Sequence, residues 1–228
     1  SKLENKKVIT YGMSANADVR ATNIMYKNNK MYFSLNISNV KQYMSQAHEI
    51  EFSMIGNHNI QNALASIATG IELKIPLEKI KNTLKNFTGV QRRFQKVGNY
   101  KNTIIIDDYG HHPVEISSAL AAARLLAPKN RIISVFQPHR YSRLRDLFDE
   151  FCRSFNDADQ VILLDVYAAG EKPINQFHSI NLENGLTNYG HKNVLYIKDQ
   201  HLLTKTLIKL IKPNDLIICL GAGSITKI

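Results

Sequence analysis

The sequence predicts an α/β protein in which a doubly wound, mostly parallel sheet follows a smaller α+β unit. After Gly89, strongly apolar segments alternate with amphipathic helical segments, a pattern typical of parallel strands buried on both faces. Before Gly89, short segments rich in β-branched and aromatic residues are followed by two helical patterns. This change of pattern predicts two domains, residues 1–89 and 90–228.

The first domain is predicted to begin with an antiparallel meander. Its four strand segments are separated by Asn, Lys or Gly and read VITYGM, ATNIMYK, KMYFSLNIS and HEIEFSMIG. Helical spacing then covers residues 59–73 and 76–87, and Pro76 suits a first helical turn. Two helices packed on these strands would form a small α+β unit.

The second domain is predicted to alternate strands and helices. The strand segments are TIIIDDYG, RIISVFQP, QVILLDVY, NVLYIKD and DLIICLGAG, and the helices cover residues 114–126, 141–155 and 200–211. The segment between QVILLDVY and NVLYIKD is predicted to be a loop. In such a Rossmann-like sheet, ligands bind at the carboxyl ends of the strands. Functional residues are therefore expected there.

Composition excludes several classes of protein. Hydrophobic residues make up 44% of the chain and charged residues 21%, which excludes disorder. No apolar run could span a bilayer, and the opening SKLENKK lacks the apolar core of a signal peptide. We therefore expect a cytoplasmic protein with no membrane partner. The two cysteines are far apart, which favours buried free thiols over a disulfide or a metal site.

The net charge of +10 is weak support for a nucleic-acid partner, because the excess is mostly lysine in a chain with the bias of AT-rich coding. The arginines are distributed differently, since eight of the nine lie between positions 92 and 153. A guanidinium group binds a carboxylate or phosphate through two oxygens, which an ammonium group does not do. This region is therefore expected to bind an anion.

Two motifs near the predicted domain boundary each have two interpretations. GNHNIQNAL places His58, Asn59 and Asn62 where a strand leads into a helix, so the amides either cap the helix or bind an adenine edge. TGVQRRF places Arg92 and Arg93 after a helix, either as a solvated basic turn or as a clamp on a nucleotide phosphate.

Two further motifs follow apolar strands and are harder to explain by structure alone. IIIDDYGHHPVEI contains two aspartates that suit ribose hydroxyls, and His111, which suits an anion or a proton transfer. Its adjacent histidines lack the i, i+4 spacing of a helical metal site. FQPHRYSRLRDLF contains His139 and places Arg140 and Arg143 three residues apart, on one helical face. Arg145 is expected to pair with a nearby acid, and the terminal GAGSI is only a weak phosphate signal.

Taken together in this order, GNHNIQNAL, GVQRRF, DDYGHHPVEI, FQPHRYSRLRDLF, YAAGEKPI and GAGSI resemble the Mur ligase family. The resemblance implies an ATP- and Mg²⁺-dependent ligase with small-molecule substrates, UDP-N-acetylmuramate and L-alanine. In this reaction the muramate carboxylate is phosphorylated, and the alanine amine attacks the acyl phosphate. Residues 1–89 would then be the C-terminal part of the central ATPase domain, and residues 90–228 the C-terminal domain.

The resemblance also implies roles for individual residues. Asn59 and Asn62 would contact adenine with His58 beside them, Arg93 would reach the ATP phosphates, and Asp108 would contact ribose. The alanine and the acyl group would be surrounded by two catalytic residues, His111 and Arg140, and by three substrate-binding residues, Tyr109, His139 and Arg143.

The sequence departs from the family in one respect, because no G-x-x-x-x-G-K-[ST] phosphate loop occurs in it. That loop and the magnesium ligands are expected upstream of Ser1, so the chain is expected to be a C-terminal fragment that is inactive alone. Two alternatives remain. One is the related ligase that attaches a preformed peptide during recycling, against which FQPHRYSR argues. The other is a non-enzymatic nucleotide- or nucleic-acid-binding module that uses the positive charge.

Overall fold

The structure, a computed structural model, describes residues 7–38, 43 and 46–227; most of the opening SKLENKK lies outside these ranges. The chain divides into two units, Ser1–Gly89 and Val90–Ile228. Each unit has its own apolar core. Within the described residues, no helix is long and apolar enough to cross a membrane.

The N-terminal unit contains a four-stranded sheet in the order β1-β2-β3-β4. Its strands are β1 (Tyr11–Gly12), β2 (Val19–Lys27), β3 (Lys30–Ile37) and β4 (His48–Phe52). Strands β2, β3 and β4 are antiparallel, but β1 pairs with β2 in parallel, so the prediction of a fully antiparallel meander is wrong. The Asp18 carboxylate accepts hydrogen bonds from the amide and hydroxyl of Thr10. These bonds close a loop that places the start of β2 beside the start of β1.

Two helices complete this unit, α1 (Asn57–Glu72) and α2 (Leu77–Asn86). The apolar side chains that alternate along β3, including Phe33 and Leu35, are buried in one core with Leu64 of α1. Gly70 allows α1 and α2 to approach closely, because a Cβ there would lie 2.8 Å from Cδ1 of Ile80. Both predicted helices are therefore present, with small shifts at their ends.

The C-terminal unit contains a six-stranded sheet in the order β5-β6-β10-β7-β8-β9. Its strands are β5 (Gln95–Tyr100), β6 (Thr103–Asp108), β7 (Ile132–Phe136), β8 (Gln160–Leu164), β9 (Val194–Ile197) and β10 (Leu216–Leu220). All neighbours are parallel except β5 and β6. The predicted fold class, a doubly wound and mostly parallel sheet, is confirmed. Strand β5 was not predicted because it is a mostly exposed edge strand without an apolar run.

The helices of this unit are α3 (Pro113–Leu126), α4 (Tyr141–Asp146), α5 (Phe148–Arg153), α6 (Ser179–Asn188) and α7 (Leu203–Leu210). The single helix predicted over residues 141–155 is interrupted at Leu147, where φ is −125°. A short 3-10 turn, Gln200–Leu202, precedes α7.

The prediction that only a loop joins β8 and β9 is wrong, because this segment contains helix α6. Its sequence, SINLENGLTN, contains Asn, Thr and Gly, which have low helix propensity. Tertiary packing compensates, because Leu182 and Leu186 are fully buried and the Ser179 hydroxyl donates a hydrogen bond to the Leu164 carbonyl.

The strand order determines which loops are neighbours. One face of the sheet packs against α3, α5 and α6, and the other against α7. Strand β10 lies between β6 and β7, and β8 follows β7. The polar segments that follow β6, β7, β8 and β10 consequently share one edge of the sheet.

Candidate functional site

A row of four rings crosses the carboxyl edge of the C-terminal sheet. The Tyr109 and His111 rings follow β6 and meet edge to face with centroids 5.3 Å apart. His111 lies 5.8 Å from His139, which follows β7, and His139 stacks on Tyr167, which follows β8, at 5.4 Å. Three of these residues were predicted from the sequence, and the strand order brings them together.

Asp108 organises the turn after β6. It is buried, and its carboxylate accepts hydrogen bonds from the amides of Phe94 at 2.8 Å and Gly110 at 2.7 Å. Burial raises the pKa of Asp108, although these two amides oppose the shift. The side chain therefore has a local structural role, and its predicted contact with ribose stays a prediction.

Asp107 lies in register with Cys219 on β10. Its Oδ2 lies 3.4 Å from Nε of Arg92, and Arg92 Nη2 donates a hydrogen bond to the Gly221 carbonyl at 2.5 Å. Burial raises the pKa of Asp107, and the Arg92 charge opposes this shift. Arg92 thus ties the end of β6 to the end of β10. Its neighbour Arg93 has a side chain that is 50% exposed.

The two adjacent histidines after β6 have different roles. His112 is the N-cap of α3, and its Nδ1 accepts a hydrogen bond from the Val114 amide. His111 lies among the rings, with Nδ1 3.0 Å from the Tyr109 carbonyl. A carbonyl only accepts, so this contact assigns a proton to Nδ1 and makes Nε2 the ring nitrogen that can accept one.

Glu115 supports this turn and was not among the predicted site residues. Its Oε2 accepts hydrogen bonds from the amides of His111 at 3.0 Å and His112 at 3.2 Å. Its Oε1 lies 3.7 Å from Nη1 of Arg93. Burial raises the pKa of Glu115, but the His111 contacts and other neighbours outweigh burial, so the net shift is downward. A sequence signal exists, because Glu115 occupies the third helical position, where a capping-box acid belongs.

The loop after β7 and the first turn of α4 present three predicted residues. Arg143 Nη1 donates to the His139 carbonyl at 3.0 Å and lies 3.2 Å from His139 Nδ1. Burial, followed by the Arg143 charge, lowers the pKa of His139, so its imidazole is neutral near pH 7. The Arg140 guanidinium is 51% exposed and lies 3.9 Å from Glu171. Arg145 pairs with Asp146 at 2.7 Å, as predicted.

Close packing explains the glycine turn after β10. A Cβ on Gly221 would lie 2.9 Å from the Gln137 carbonyl, and one on Gly223 would lie 2.5 Å from Gln137 Oε1. Gln137 is buried and accepts a hydrogen bond from the Ile225 amide at 3.1 Å. Contacts within the protein therefore explain both glycines, and a bound phosphate is not needed to explain them.

The predicted adenine residues belong to the N-terminal unit. Helix α1 begins after Gly56 without a side-chain cap, so neither asparagine caps it. The Asn59 amide donates to the Ile55 carbonyl at 2.8 Å and accepts from Asn62 at 3.4 Å. Asn62 is exposed, and His58 precedes Asn59 on the first turn. The capping interpretation is wrong for these side chains, and the adenine interpretation stays a prediction.

Three other residues that contribute to the edge were not predicted as site residues: Gln137, Tyr167 and Glu171. Tyr167 and Glu171 lie in the segment YAAGEKPI, where nothing local indicates which strand end they approach. Among the described residues, no group of three His, Cys, Asp or Glu side chains comes together as a metal site.

Comparison with known proteins identifies the class. The family model for the glutamate ligase domain of Mur ligases matches residues 92–223, and the model for the Mur ligase middle domain matches residues 1–70. The chain therefore belongs to the Mur ligase family, and the resemblance seen in its motifs is confirmed.

Individual relatives are more specific. The chain is 44% identical over 225 residues to a UDP-N-acetylmuramate–L-alanine ligase of Rhodospirillum centenum, covering 97% of this chain and 46% of the relative. The UDP-N-acetylmuramate–alanine ligase of Thermotoga maritima shares the fold, with a TM-score of 0.79 and 24% identity over 96% of this chain and 45% of that one. A MurF ligase of Thermotoga maritima in complex with ADP has a TM-score of 0.68, 16% identity and coverage of 95% and 45%. The chain spans about half the length of the curated relatives it matches.

Proposed function

We propose that this chain forms part of a cytoplasmic ligase that joins L-alanine to UDP-N-acetylmuramate at the expense of ATP, through an acyl phosphate. The observation that supports it most is the meeting of His111, His139, Arg140 and Arg143 at one sheet edge in a chain 44% identical to ligases of that name. Residues 1–89 then belong to the central ATPase domain and residues 90–228 to the C-terminal domain.

Candidate nucleotide-binding residues occur in both units. Mur ligases use ATP, which supplies the phosphoryl group that activates the muramate carboxylate. Asn59 and Asn62 suit the adenine edge with His58 beside them, Arg93 suits a phosphate, and Asp108 suits ribose. The donor set fits only part of the nucleotide, because no phosphate-loop motif occurs in the sequence. Mg²⁺ is a requirement that we infer for the complete ligase.

The amino-acid assignments rest on complementary charge. Arg140, half-exposed, offers a forked pair of donors to the alanine carboxylate or to the oxyanion of the tetrahedral intermediate. Arg143 and neutral His139 form the adjoining wall, with Tyr109 beside His111. His111 presents Nε2 as a proton acceptor for the alanine amine, because its Nδ1 is held by the Tyr109 carbonyl.

Alanine kinetics of the full-length gene product test this proposal. Arg140→Lys retains the charge but loses the forked geometry, so the enzyme should lose about 1.5–3 kcal/mol of transition-state stabilisation. This loss is measured as a lower kcat/KM for alanine. Arg145→Lys, on an exposed arginine that pairs with Asp146, is the matched control. An unchanged kcat/KM in Arg140→Lys would remove Arg140 from the site. A peptide beginning with L-alanine, if used more efficiently than alanine itself, would support the recycling ligase instead.

The nucleotide assignment has a separate test. Asp108→Asn should raise KM for ATP more than Asp107→Asn does, since adjacent residues of a strand point to opposite faces. The reverse order would assign the ribose contact to Asp107.

A further inference from the structure

Arg140 combines an unusual backbone conformation with an unusual position in its helix. It precedes α4 as the N-cap with φ 73° and ψ 132°, a conformation that residues other than glycine rarely adopt. N-caps are commonly Ser, Thr, Asp or Asn, whose oxygens accept a hydrogen bond from the first turn, and Arg140 makes no such bond. The surroundings must therefore hold this residue in place.

The loop after β8 provides that support. The Tyr167 carbonyl accepts a hydrogen bond from the Arg140 amide at 2.9 Å, and the Tyr167 amide donates to the Pro138 carbonyl at 2.8 Å. Glu171, further along the same loop, accepts hydrogen bonds from the Ser142 amide at 2.9 Å and the Ser142 hydroxyl at 2.6 Å. Glu171 thereby supplies the first-turn acceptor that Arg140 lacks.

Glu171 also faces the Arg140 side chain. Its Oε1 lies 3.9 Å from Arg140 Nη1, which is within range of charge attraction but too long for a hydrogen bond. The attraction restricts the direction of the guanidinium while leaving its donors available. The Ser142 hydroxyl and amide lower the pKa of Glu171, which keeps the carboxylate ionised.

We propose that Glu171 is a positioning residue for Arg140, holding both the start of α4 and the direction of the guanidinium that receives the amino-acid carboxylate or the oxyanion. This inference rests on the proposed function for the identity of the ligand. The simpler alternative is that Glu171 only caps a short helix.

A double-mutant cycle in the full-length gene product separates the two. Glu171→Gln keeps an oxygen for Ser142 but removes the charge, and kcat/KM for alanine should fall about 10- to 100-fold, as expected when a reactive group is misplaced. KM for ATP should stay unchanged. In an Arg140→Ala background, the same substitution should change kcat/KM by no more than about twofold, because the guanidinium that Glu171 positions is then absent. Glu150→Gln, the same charge change at an exposed position of α5, is the matched control.

Two kinetic outcomes would overturn the inference. One is a wild-type kcat/KM in Glu171→Gln, and the other is an equal loss with and without Arg140, which would indicate a cap alone. If Arg140→Ala itself leaves alanine kinetics unchanged, both the inference and the proposed alanine site are rejected.

Amide hydrogen exchange in the 228-residue chain tests the positioning without any turnover. Glu171→Gln should accelerate exchange several-fold at both Arg140 and Ser142, while the amide of Ile132, held by the Asp159 carboxylate, stays unchanged. Unchanged exchange at Arg140 would overturn the inference even if the ligase activity is established. Accelerated exchange in a chain whose full-length form shows no alanine-dependent activity would contradict the proposed function and leave the positioning of Arg140 supported.

Discussion

Neighbouring residues at the candidate site differ in role because strand alternation and helix capping separate them. Asp107 lies in register with Cys219, whereas Asp108 turns to the amides of Phe94 and Gly110. His112 caps α3, whereas His111 joins the row of rings. Pairs that are chemically identical in the sequence are therefore distinguished by their backbone environment.

Asp108 should contribute strongly to stability through the hydrogen bonds that it accepts from two backbone amides. An asparagine would keep one acceptor oxygen and turn an NH₂ group toward the second amide. We expect Asp108→Asn to lower the free energy of unfolding of the chain by about 1–3 kcal/mol, the range for leaving a buried donor unsatisfied. Urea unfolding measures this, with Ser117→Ala on α3, where the hydroxyl of an exposed residue donates to one carbonyl, as a milder comparison. A loss no greater than that of Ser117→Ala would contradict the structural role.

Asp107 should make stability depend on pH. Burial raises the pKa of its carboxyl above the ordinary value of 3.8, so the folded state binds this proton more tightly than the unfolded state does. Its contribution is fully present below pH 3.8 and is lost as pH rises through the folded pKa. Asp107→Asn should therefore flatten the decline in unfolding free energy above pH 3.8. A steeper decline in the variant would contradict the direction of the shift.

Both cysteines should be unreactive in the folded chain. Burial raises the pKa of Cys152 to about 11 and that of Cys219 to about 12, and the thiolate is the nucleophile. We expect a disulfide reagent at pH 7.5 to label neither thiol in the native chain and to label both after denaturation. Rapid labelling of a native thiol would show that it is accessible and ionised.

Loops at the carboxyl edge act as packed elements, and the turn after β10 is the clearest case. Its glycines contact Gln137 from the loop after β7, and its first carbonyl accepts a hydrogen bond from Arg92, whose guanidinium also pairs with Asp107 at the end of β6. The turn thus joins both neighbouring strand ends. Its tight packing predicts that added side-chain volume is poorly tolerated.

Two glycines with positive φ test this. Gly221→Ala would place a Cβ 2.9 Å from the Gln137 carbonyl, whereas Gly190→Ala has φ 96° and no atom within 4 Å of the added Cβ. The control should lose about 1–2 kcal/mol of stability from backbone conformation alone. Gly221→Ala should lose more, measured by thermal or urea unfolding. Equal losses of stability in the two variants would mean that the turn rearranges around the added methyl group without a measurable change in free energy.

At the scale of the molecule, the two units contribute different parts of the proposed chemistry. The adenine candidates belong to residues 1–89, and the anion-binding candidates belong to residues 90–228. The 228-residue sequence contains no phosphate-loop motif, whose backbone amides and lysine position the phosphates of a nucleotide.

We therefore expect the 228-residue chain to show no alanine-dependent phosphate release alone. Phosphoryl transfer depends mainly on positioning and electrostatic stabilisation of the phosphates, which this sequence does not provide by itself. Phosphate release with ATP, UDP-N-acetylmuramate and alanine measures this, and the full-length gene product is the positive control. Turnover by the chain alone, with host ligase excluded, would show that the catalytic groups lie elsewhere.

Predictions that rest on local sequence patterns succeeded, and elements that depend on contacts between distant residues were missed. Strands β6, β7 and β10 were predicted because burial on both faces leaves continuous apolar runs. Strand β5 and helix α6 were missed. The first is an exposed edge strand, and the second depends on tertiary contacts at Leu182 and Ser179 that outweigh weak helix propensity.

The sequence by itself determined the fold class, the family and the residue types that surround the site, because apolar periodicity and motif order are properties of local sequence. Only the tertiary structure decided how those residues are used. Arg140 and Glu171 are 31 positions apart, and the order β6-β10-β7-β8 brings His111, His139 and Tyr167 into one row. Contacts between strand ends depend on how the sheet is assembled, and that order leaves no local pattern in the chain.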